Sequence, residues 1–356
     1  MTHRILRRHL RLALLALLPA ALAGCLGDDN NLLPGDDRTR VEVIVNSTSN
    51  TLSLVSIDSA LATPRTVSLG AQGSPVSVAA RGAYAVVPLG TYPFAAIVDL
   101  RTATVARNVA LPANSGATGV AFMNDSIALV GNPNRNSVTP INVRTGTAGA
   151  EIQVGVYPQA LVSGNNGVYV LNANLVNFSP AGPGSVTVIN QSLQVVTTIP
   201  LTGINPSAGR IVSNTLLVVN SGNFGQANGT LSLVNVVTSQ QAVNVPGFGE
   251  FPGTVDVGPD GMVYVGVYGT GILVWNPNLG VFQRGLSNPI VPGDGPPISA
   301  LRFDDIGRLH TLAPGDCAPG HPGKEYGLAS PFTQVTRTIT TGVCPFALAF
   351  ALVPAS

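Results

Sequence analysis

An Asp or Asn closes a short apolar run at regular intervals along most of this chain, and a turn follows each time. The recurring residues are Asp58, Asp99, Asn142, Asn190, Asn235 and Asn276. Their spacing of 41 to 48 residues is the period of a repeated supersecondary unit, and it restricts the chain to repeat architectures. An Asx side chain can hydrogen-bond the backbone two residues on, which gives its place at each turn a physical cause.

A second landmark, a Pro that opens a strand-like run, recurs with a similar period. Its positions are Pro75, Pro158, Pro206, Pro252, Pro297 and Pro345, with Ala117 in place of a Pro between the first two. Seven such starts predict seven units. The runs between them are short, rich in Val, Ile, Leu and Ala, and broken by Gly, Pro and Asn, so the chain from Val41 onward is predicted to be all-β.

The second unit shows how many strands a unit contains. Its runs are Val76 to Ala80, Ala83 to Val87, Phe94 to Leu100 and Val105 to Leu111. The segment from Val41 to Leu69 has only three strands, whereas the last unit has only one, Phe346 to Leu352. Residues 40–356 are therefore predicted to form a seven-bladed β-propeller with four-stranded antiparallel blades, in which the C-terminal strand closes the first blade.

Two units contain amino-acid sequences that resemble a known repeat. Tyr169-Val170-Leu171-Asn172 followed by Val186-Thr187-Val188-Ile189-Asn190 is one example, and Leu217-Val218-Val219-Asn220 followed by Leu231-Ser232-Leu233-Val234-Asn235 is the other. Both resemble the YVTN-type β-propeller repeat of exported and surface-layer bacterial proteins. The resemblance covers most of residues 41–352, and it implies a propeller that works outside the cytoplasm.

The N-terminal residues have the pattern of an export signal. Four Arg precede an apolar run, Leu12 to Leu18, that is too short to span a bilayer permanently. The run leads to Leu22-Ala23-Gly24-Cys25, which resembles the bacterial lipobox. The resemblance implies a lipoprotein signal peptide at 1–24 and an acylated Cys25, and Leu26 at the next position favours the outer membrane. A chance Cys after an ordinary signal peptide is the alternative.

Residues 25–39 are polar and are predicted to be a lipid-anchored flexible tether in the cell envelope. Removing residues 1–24 leaves 14 of the 18 basic residues against 17 acidic ones, a net charge of about −3, so nucleic acid is not a predicted partner. The predicted partners are the membrane, through the lipid, and an envelope protein or glycan. The protein is expected to be a monomer.

Two cysteines, Cys317 and Cys344, remain once Cys25 is acylated. In an exported protein such a pair is expected to be oxidised. Cys317 falls in the last loop between the second and third strands of a unit, and Cys344 in the connector that feeds the closing strand, so both lie beside the ring closure. A structural disulfide is predicted, with two free thiols as the alternative.

Long loops between the second and third strands fall on one face of the predicted propeller. They are Gly131 to Ser137, Asn172 to Ser185, Asn220 to Gly229 and Ala313 to Gly327. Long loops on a rigid scaffold usually carry binding, and the neutral residues here suit glycans or peptide backbone. The predicted binding face comprises Tyr92, Asn134, Arg135, Asn172, Asn174, Phe178, Asn220, Asn223, Phe224, Tyr268, His321 and Tyr326.

The sequence offers little catalytic chemistry. After processing only two His remain, and His310 alternates within a strand, which favours a packed side chain over a general base. A non-enzymatic binding or scaffold propeller without a cofactor is therefore the leading hypothesis. The alternative is a lactonase or hydrolase, because the turns beginning at Asp256 and Asp304 are similar to those of gluconolactonase-like propellers. Its channel-bound Ca²⁺ or other divalent cation would use Glu250, Asn205 and Asp294.

Overall fold

The computed structural model describes residues 38–59 and 63–354. The predicted signal peptide, Cys25 and nearly all of the tether lie outside the described residues. The described part is an all-β propeller with seven antiparallel blades. Its one helical element is a 3₁₀ turn at Pro133–Arg135. Across the described residues, no helix is both long and apolar enough to cross a membrane.

Each blade is a meander of four strands, called A to D in the order in which they pair. Blade 1 consists of Pro345–Val353, Thr39–Asn46, Thr51–Ser56 and Arg65–Ser68, and blade 2 of Ala79–Arg81, Tyr84–Pro88, Phe94–Asp99 and Thr104–Ala110. Blade 3 consists of Val120–Phe122, Ile127–Asn132, Ser137–Asn142 and Thr147–Ala148, with Ile152–Gln153 as a further pairing segment, and blade 4 of Pro158–Gly164, Gly167–Asn172, Pro183–Asn190 and Val195–Ile204. Blade 5 consists of Pro206–Val212, Thr215–Asn220, Thr230–Asn235 and Gln240–Pro246, and blade 6 of Pro252–Val257, Val263–Val267, Gly271–Asn276 and Val281–Arg284. Blade 7 consists of Ala300–Phe303, Leu309–Ala313, Pro322–Leu328 and Val335–Val343. A separate hairpin pairs Leu175–Val176 with Ser179–Pro180.

The C-terminal strand closes the first blade as predicted. Strand A of blade 1 runs antiparallel to strand B from Thr39 opposite Val353 to Asn46 opposite Pro345. Each strand A also contacts the A strands of both neighbouring blades, including those of blades 7 and 1. The A strands thus form a continuous inner ring, and the chain ends meet inside blade 1, where the C-terminal strand A pairs with the N-terminal strand B.

The core is divided among the blade interfaces. Seven clusters of buried apolar side chains are present among the described residues, and each joins two adjacent blades. The smallest joins blades 7 and 1 through residues such as Ile44, Leu312 and Leu348. Apolar burial is the main source of stability in such a fold, so the interface of blades 7 and 1 has the least of this stabilisation.

The two sequence landmarks have the structural roles expected of them. The Asx side chains at the ends of C strands accept backbone N–H bonds in the next turn, as Asn235 does from Val237 at 2.9 Å and Thr238 at 3.0 Å. Asp58 is different, because it pairs with Arg40 at 2.9 Å. Four of the recurring prolines begin an A strand. The other starts precede their strands by three or four residues.

Candidate functional site

One face of the propeller, here called the loop face, is formed by the B–C loops and the connectors that lead into the A strands. A repeated backbone hydrogen bond ties loop to connector within a blade. The N–H of Ala173 donates to Tyr157 O at 2.9 Å, and the N–H of Tyr268 donates to Phe251 O at 3.2 Å. The same bond joins Ser221 to Asn205 and Ser47 to Cys344. These ties give the loops fixed positions above the blades.

The connector residue in each of these ties has a left-handed backbone. The φ values are 56° at Tyr157, 57° at Asn205, 54° at Phe251 and 59° at Cys344, and each residue precedes the Pro that opens an A strand. Bulky L residues rarely adopt this region, whereas Asn tolerates it. The fold therefore requires the left-handed backbone at this position, but it does not require an aromatic residue there.

Five aromatic residues on the loop face of blades 4, 5 and 6 form what we call the aromatic patch: Tyr157, Phe178, Phe224, Phe251 and Tyr268. Tyr157 and Phe178 meet edge to face at 6.3 Å between ring centroids, and Phe224 and Phe251 lie 5.9 Å apart. Phe178 is 68% exposed, Phe224 49% and Tyr268 42%. Exposed apolar groups clustered in this way typically mark an interaction site.

The loops that surround the aromatic patch are almost free of charge. They comprise residues 155–157, 173–182, 203–205, 221–229, 247–251 and 268–270, and within them Glu250 is the one charged residue. Asn side chains supply most of the remaining polar groups, including Asn174, Asn177 and Asn223. The surface therefore suits a ligand that has apolar faces and neutral hydrogen-bonding groups.

The predicted binding residues divide into two groups. Phe178, Phe224 and Tyr268 belong to the aromatic patch, and Asn174 and Asn223 lie in the same loops. The others on the surface lie on blades 2, 3 and 7. Tyr92 stacks on Phe94 at 4.6 Å, Asn134 is exposed beside Arg135, Arg135 pairs with Glu151 at 2.8 Å, and His321 pairs with Asp316 at 2.8 Å. The sequence did not single out Tyr157 and Phe251.

Three predicted binding residues are buried, and for these the sequence-based assignment to an exposed face is wrong. The Nδ2 of Asn172 donates to Ser185 at 3.1 Å and to Thr187 at 3.0 Å. Asn220 makes the equivalent bonds to Thr230 and Ser232. Tyr326 is 3% exposed, and its hydroxyl accepts the backbone N–H of Asp294 at 3.2 Å. All three stabilise a blade.

The alternative cation site finds little support in the geometry. Asp294 pairs with Lys324 at 2.6 Å, and this hydrogen bond lowers the pKa of Asp294. Asn205 is 3% exposed and Glu250 lies on the surface. Glu250 and Asp294 are not part of the single group of three His, Cys, Asp or Glu ligand atoms within 4.8 Å that residues 38–59 and 63–354 contain.

That single group, Glu42, His310 and Glu325, lies at the interface of blades 7 and 1 and is fully buried. The Nη2 of Arg337 lies 2.7 Å from Glu42 Oε2, 3.1 Å from Glu325 Oε2 and 3.3 Å from His310 Nδ1. The guanidinium thus occupies the position that a metal cation would take. We call these four residues and Asp304, which lies 3.1 Å from His310 Nε2, the seam cluster.

Protonation of His310, together with Arg337 and with Arg308, which pairs with Asp304 at 2.7 Å, balances the three carboxylates of the seam cluster. Burial opposes the charged ring, but the charge of Glu42 and hydrogen bonds to Asp304 and Glu325 outweigh it and raise the pKa of His310 well above its usual range. Burial also raises the pKa of Asp304, but bonds from His310 and Arg308 reverse the effect and lower it to about 2. The cluster is therefore an ion network that holds blade 7 to blade 1.

The predicted disulfide between Cys317 and Cys344 is present at the same interface. Cys317 lies in the B–C loop of blade 7, and Cys344 directly precedes strand A of blade 1. The bond therefore fixes the B–C loop of blade 7 to the connector that leads from blade 7 into blade 1. Together with the seam cluster it compensates for the small apolar interface described above.

Comparisons with known proteins identify the fold. No protein-family model and no curated protein sequence matches the chain. Among solved structures, the chain is similar to hydrazine synthase of Kuenenia stuttgartiensis, with a TM-score of 0.59 and 15% identity over 77% of this chain and 88% of that one. A functionally unknown protein from Desulfotomaculum acetoxidans gives a TM-score of 0.65 and 14% identity over 88% and 99%. The designed protein Ika8 gives 0.57 and 16% over 88% and 91%.

These identities are low, so the similarities establish the propeller fold and leave the function open. A designed protein and a protein of unknown function share the fold with this chain. One propeller fold serves many unrelated functions. The function of this chain has to be argued from its own loop face.

Proposed function

We propose that this protein is a membrane-tethered binding or scaffold propeller that acts outside the cytoplasm and presents its loop face to an envelope protein or glycan. The aromatic patch carries the proposal. Phe178, Phe224 and Tyr268 are exposed, and the two half-buried rings stand at connector positions where the fold accepts Asn. Exposed rings contribute little to folding, and left-handed backbone disfavours bulky side chains, so we assign the aromatic patch to ligand contact.

The rigidity of the propeller supports a binding role. The loops of blades 4 to 6 are tied to the connectors by backbone hydrogen bonds, and each blade is packed on both sides. Binding of a ligand to such a surface costs the protein little conformational entropy. The scarcity of charge around the patch, where Glu250 is the one charged residue of the surrounding loops, further favours an uncharged ligand.

Capture from the native envelope tests the proposal. The full chain is immobilised and incubated with detergent-solubilised envelope, and we expect it to retain a protein or glycan. The double substitution Phe224→Ala and Tyr268→Ala should abolish retention. The matched control, Val237→Ala with Leu279→Ala, removes apolar side chains of 69% and 68% exposure on the opposite face and should leave it intact. Equal retention by both variants would overturn the proposal.

The membrane tether is tested separately. If Cys25 carries the lipid, the mature protein partitions into the detergent phase of a Triton X-114 extract and incorporates labelled palmitate. Cys25→Ser should remove the label and move the protein to the aqueous phase, because the acyl chains that would bury CH₂ groups in the bilayer are then absent. A wild-type protein that partitions into the aqueous phase would refute the anchor but not the binding face.

A further inference from the structure

Phe178 occupies a backbone position that normally belongs to Gly. Strands Leu175–Val176 and Ser179–Pro180 pair with Val176 opposite Ser179, so Asn177 and Phe178 are the two loop residues, with φ of 51° and 60°. Positive φ at both residues is a type I′ turn, for which Asn-Gly is preferred because Gly has no Cβ. The chain keeps the Asn but has a Phe, 68% exposed, where Gly would fit best.

Tyr157 and Phe251, at the connectors, are likewise aromatic residues with positive φ. Asn205 shows that the same conformation can be met by a residue that tolerates it. The chain nevertheless places aromatic rings at the two equivalent positions on either side, and each ring contacts a second ring from a B–C loop. Three unfavourable backbone choices thus produce two ring pairs on different blades. Folding alone does not explain them.

The polar groups beside the rings remain available for a ligand. Among residues 38–59 and 63–354, the side chains of Asn177 and Asn223 and the hydroxyls of Tyr157 and Tyr268 have no hydrogen-bond partner. Asn177 is next to Phe178 in the chain, and Asn223 is next to Phe224. Each exposed ring of these two loops therefore has an adjacent amide that can both donate and accept.

The composition of the surrounding loops separates two classes of ligand. Protein interfaces are enriched in Arg and Met as well as in aromatic residues, but the loops around the patch contain no Arg and no Met. Rings beside neutral amides instead match a molecule that presents C–H groups on one face and hydroxyls at its edges. The face of an aromatic ring is electron-rich and attracts such polarised C–H groups.

Resting on the proposed function, we infer that the aromatic patch binds an uncharged carbohydrate, whose sugar rings stack on Phe178 and Phe224 while their hydroxyls bond Asn177 and Asn223. Two ring pairs on different blades fit a ligand with repeated apolar faces. The ligand is therefore an oligosaccharide or the exposed part of a polysaccharide rather than a single sugar.

Isothermal titration of the full chain with neutral oligosaccharides tests the inference. The probes are hexamers of glucose with α and β linkages, of mannose, of xylose and of N-acetylglucosamine. We expect at least one to bind, and the matching monosaccharide to bind much more weakly. Phe178→Gly should weaken binding about tenfold or more without lowering the melting temperature, because Gly suits the turn. Phe178→Tyr should retain binding, and Leu279→Ala on the opposite face should leave it unchanged.

The outcomes separate this inference from the proposed function. If no neutral oligosaccharide binds at millimolar concentration while envelope capture still depends on Phe224 and Tyr268, the ligand is a protein or lipid and the carbohydrate assignment is wrong. Binding that Phe178→Gly leaves unchanged would also overturn it, because the sugar would then lie elsewhere. If capture too is insensitive to the patch, the proposed function fails with it.

Discussion

Removing the Cys317–Cys344 disulfide should weaken the ring at one defined interface. The bond joins residues 27 apart in sequence. In the chain-entropy relation, closing a loop of this length stabilises the folded state by about 3.5 kcal/mol at 25 °C. For a propeller of roughly 300 residues the entropy of unfolding near the midpoint is about 0.65 kcal/mol per degree, so the expected fall in Tm is about 5 °C.

The assay is thermal unfolding of the full chain and of Cys317→Ser/Cys344→Ser, each with and without reductant. We expect reductant to lower the Tm of the wild type to that of the double variant, and to leave the variant unchanged. Hydrogen exchange locates the effect, since amides of Pro345–Val353 and Thr39–Asn46 should lose protection before those of blades 3 to 5. A Tm that is the same for both proteins, or a loss of protection that begins elsewhere, would refute the reasoning.

Three further predictions concern buried polar groups. Arg337→Met leaves two carboxylates buried without their guanidinium, so it should lower the free energy of unfolding by about 3–5 kcal/mol in urea titration, whereas the exposed control Arg284→Met should change it by less than about 0.5 kcal/mol. The raised pKa of His310 means that its stabilisation is fully present below about pH 6.5 and is lost as pH rises through the raised value. The stability difference between wild type and His310→Gln should therefore shrink at alkaline pH, and a constant difference would contradict the charged state of the ring. Asn172→Ala deprives two hydroxyls of a donor inside blade 4 and should cost about 1–3 kcal/mol, whereas Asn223→Ala in the exposed loop should be nearly neutral, and similar losses from both would contradict the buried role of Asn172.

The blade count and the ring closure were accessible from sequence because both depend on local chemistry that repeats. Six Asx turns and six strand-opening prolines mark the units between them, and the missing strand of the first unit is visible as the extra strand of the last. The disulfide followed from the same topology. The role of a residue such as Asn235, whose side chain accepts bonds from the turn that follows it, can thus be predicted from the neighbouring sequence.

The inward or outward direction of an Asn at a strand end was not accessible in this way. Asn172 and Asn220 precede long loops, which made them resemble loop residues. The signal that could have separated them is a pair of Ser or Thr residues two apart on the next strand, since these accept the amide bonds. In both cases a Gly three residues before the Pro that opens strand A also lies against the amide, as Gly203 does against Asn220, where a Cβ would lie 2.1 Å from Cγ.

The seam cluster and the aromatic patch depend on the assembled ring. Glu42 and Arg337 are 295 residues apart in sequence and meet only when the ring closes. Tyr157 and Phe251, both half-buried, stand on a left-handed backbone that composition does not reveal. An aromatic residue directly before a strand-opening Pro was nevertheless present in the sequence, and it is the feature that could have identified them.

Site-specific photo-crosslinking in living cells tests most directly whether the loop face of blades 4 to 6 is the working surface of this propeller. A benzophenone amino acid replaces Tyr268 in one strain and Leu279, on the opposite face, in another. We expect irradiation to yield a discrete conjugate of higher mass from position 268 and none from position 279. Conjugates from position 279 alone, or equal yields from both positions, would contradict the assignment of the binding face.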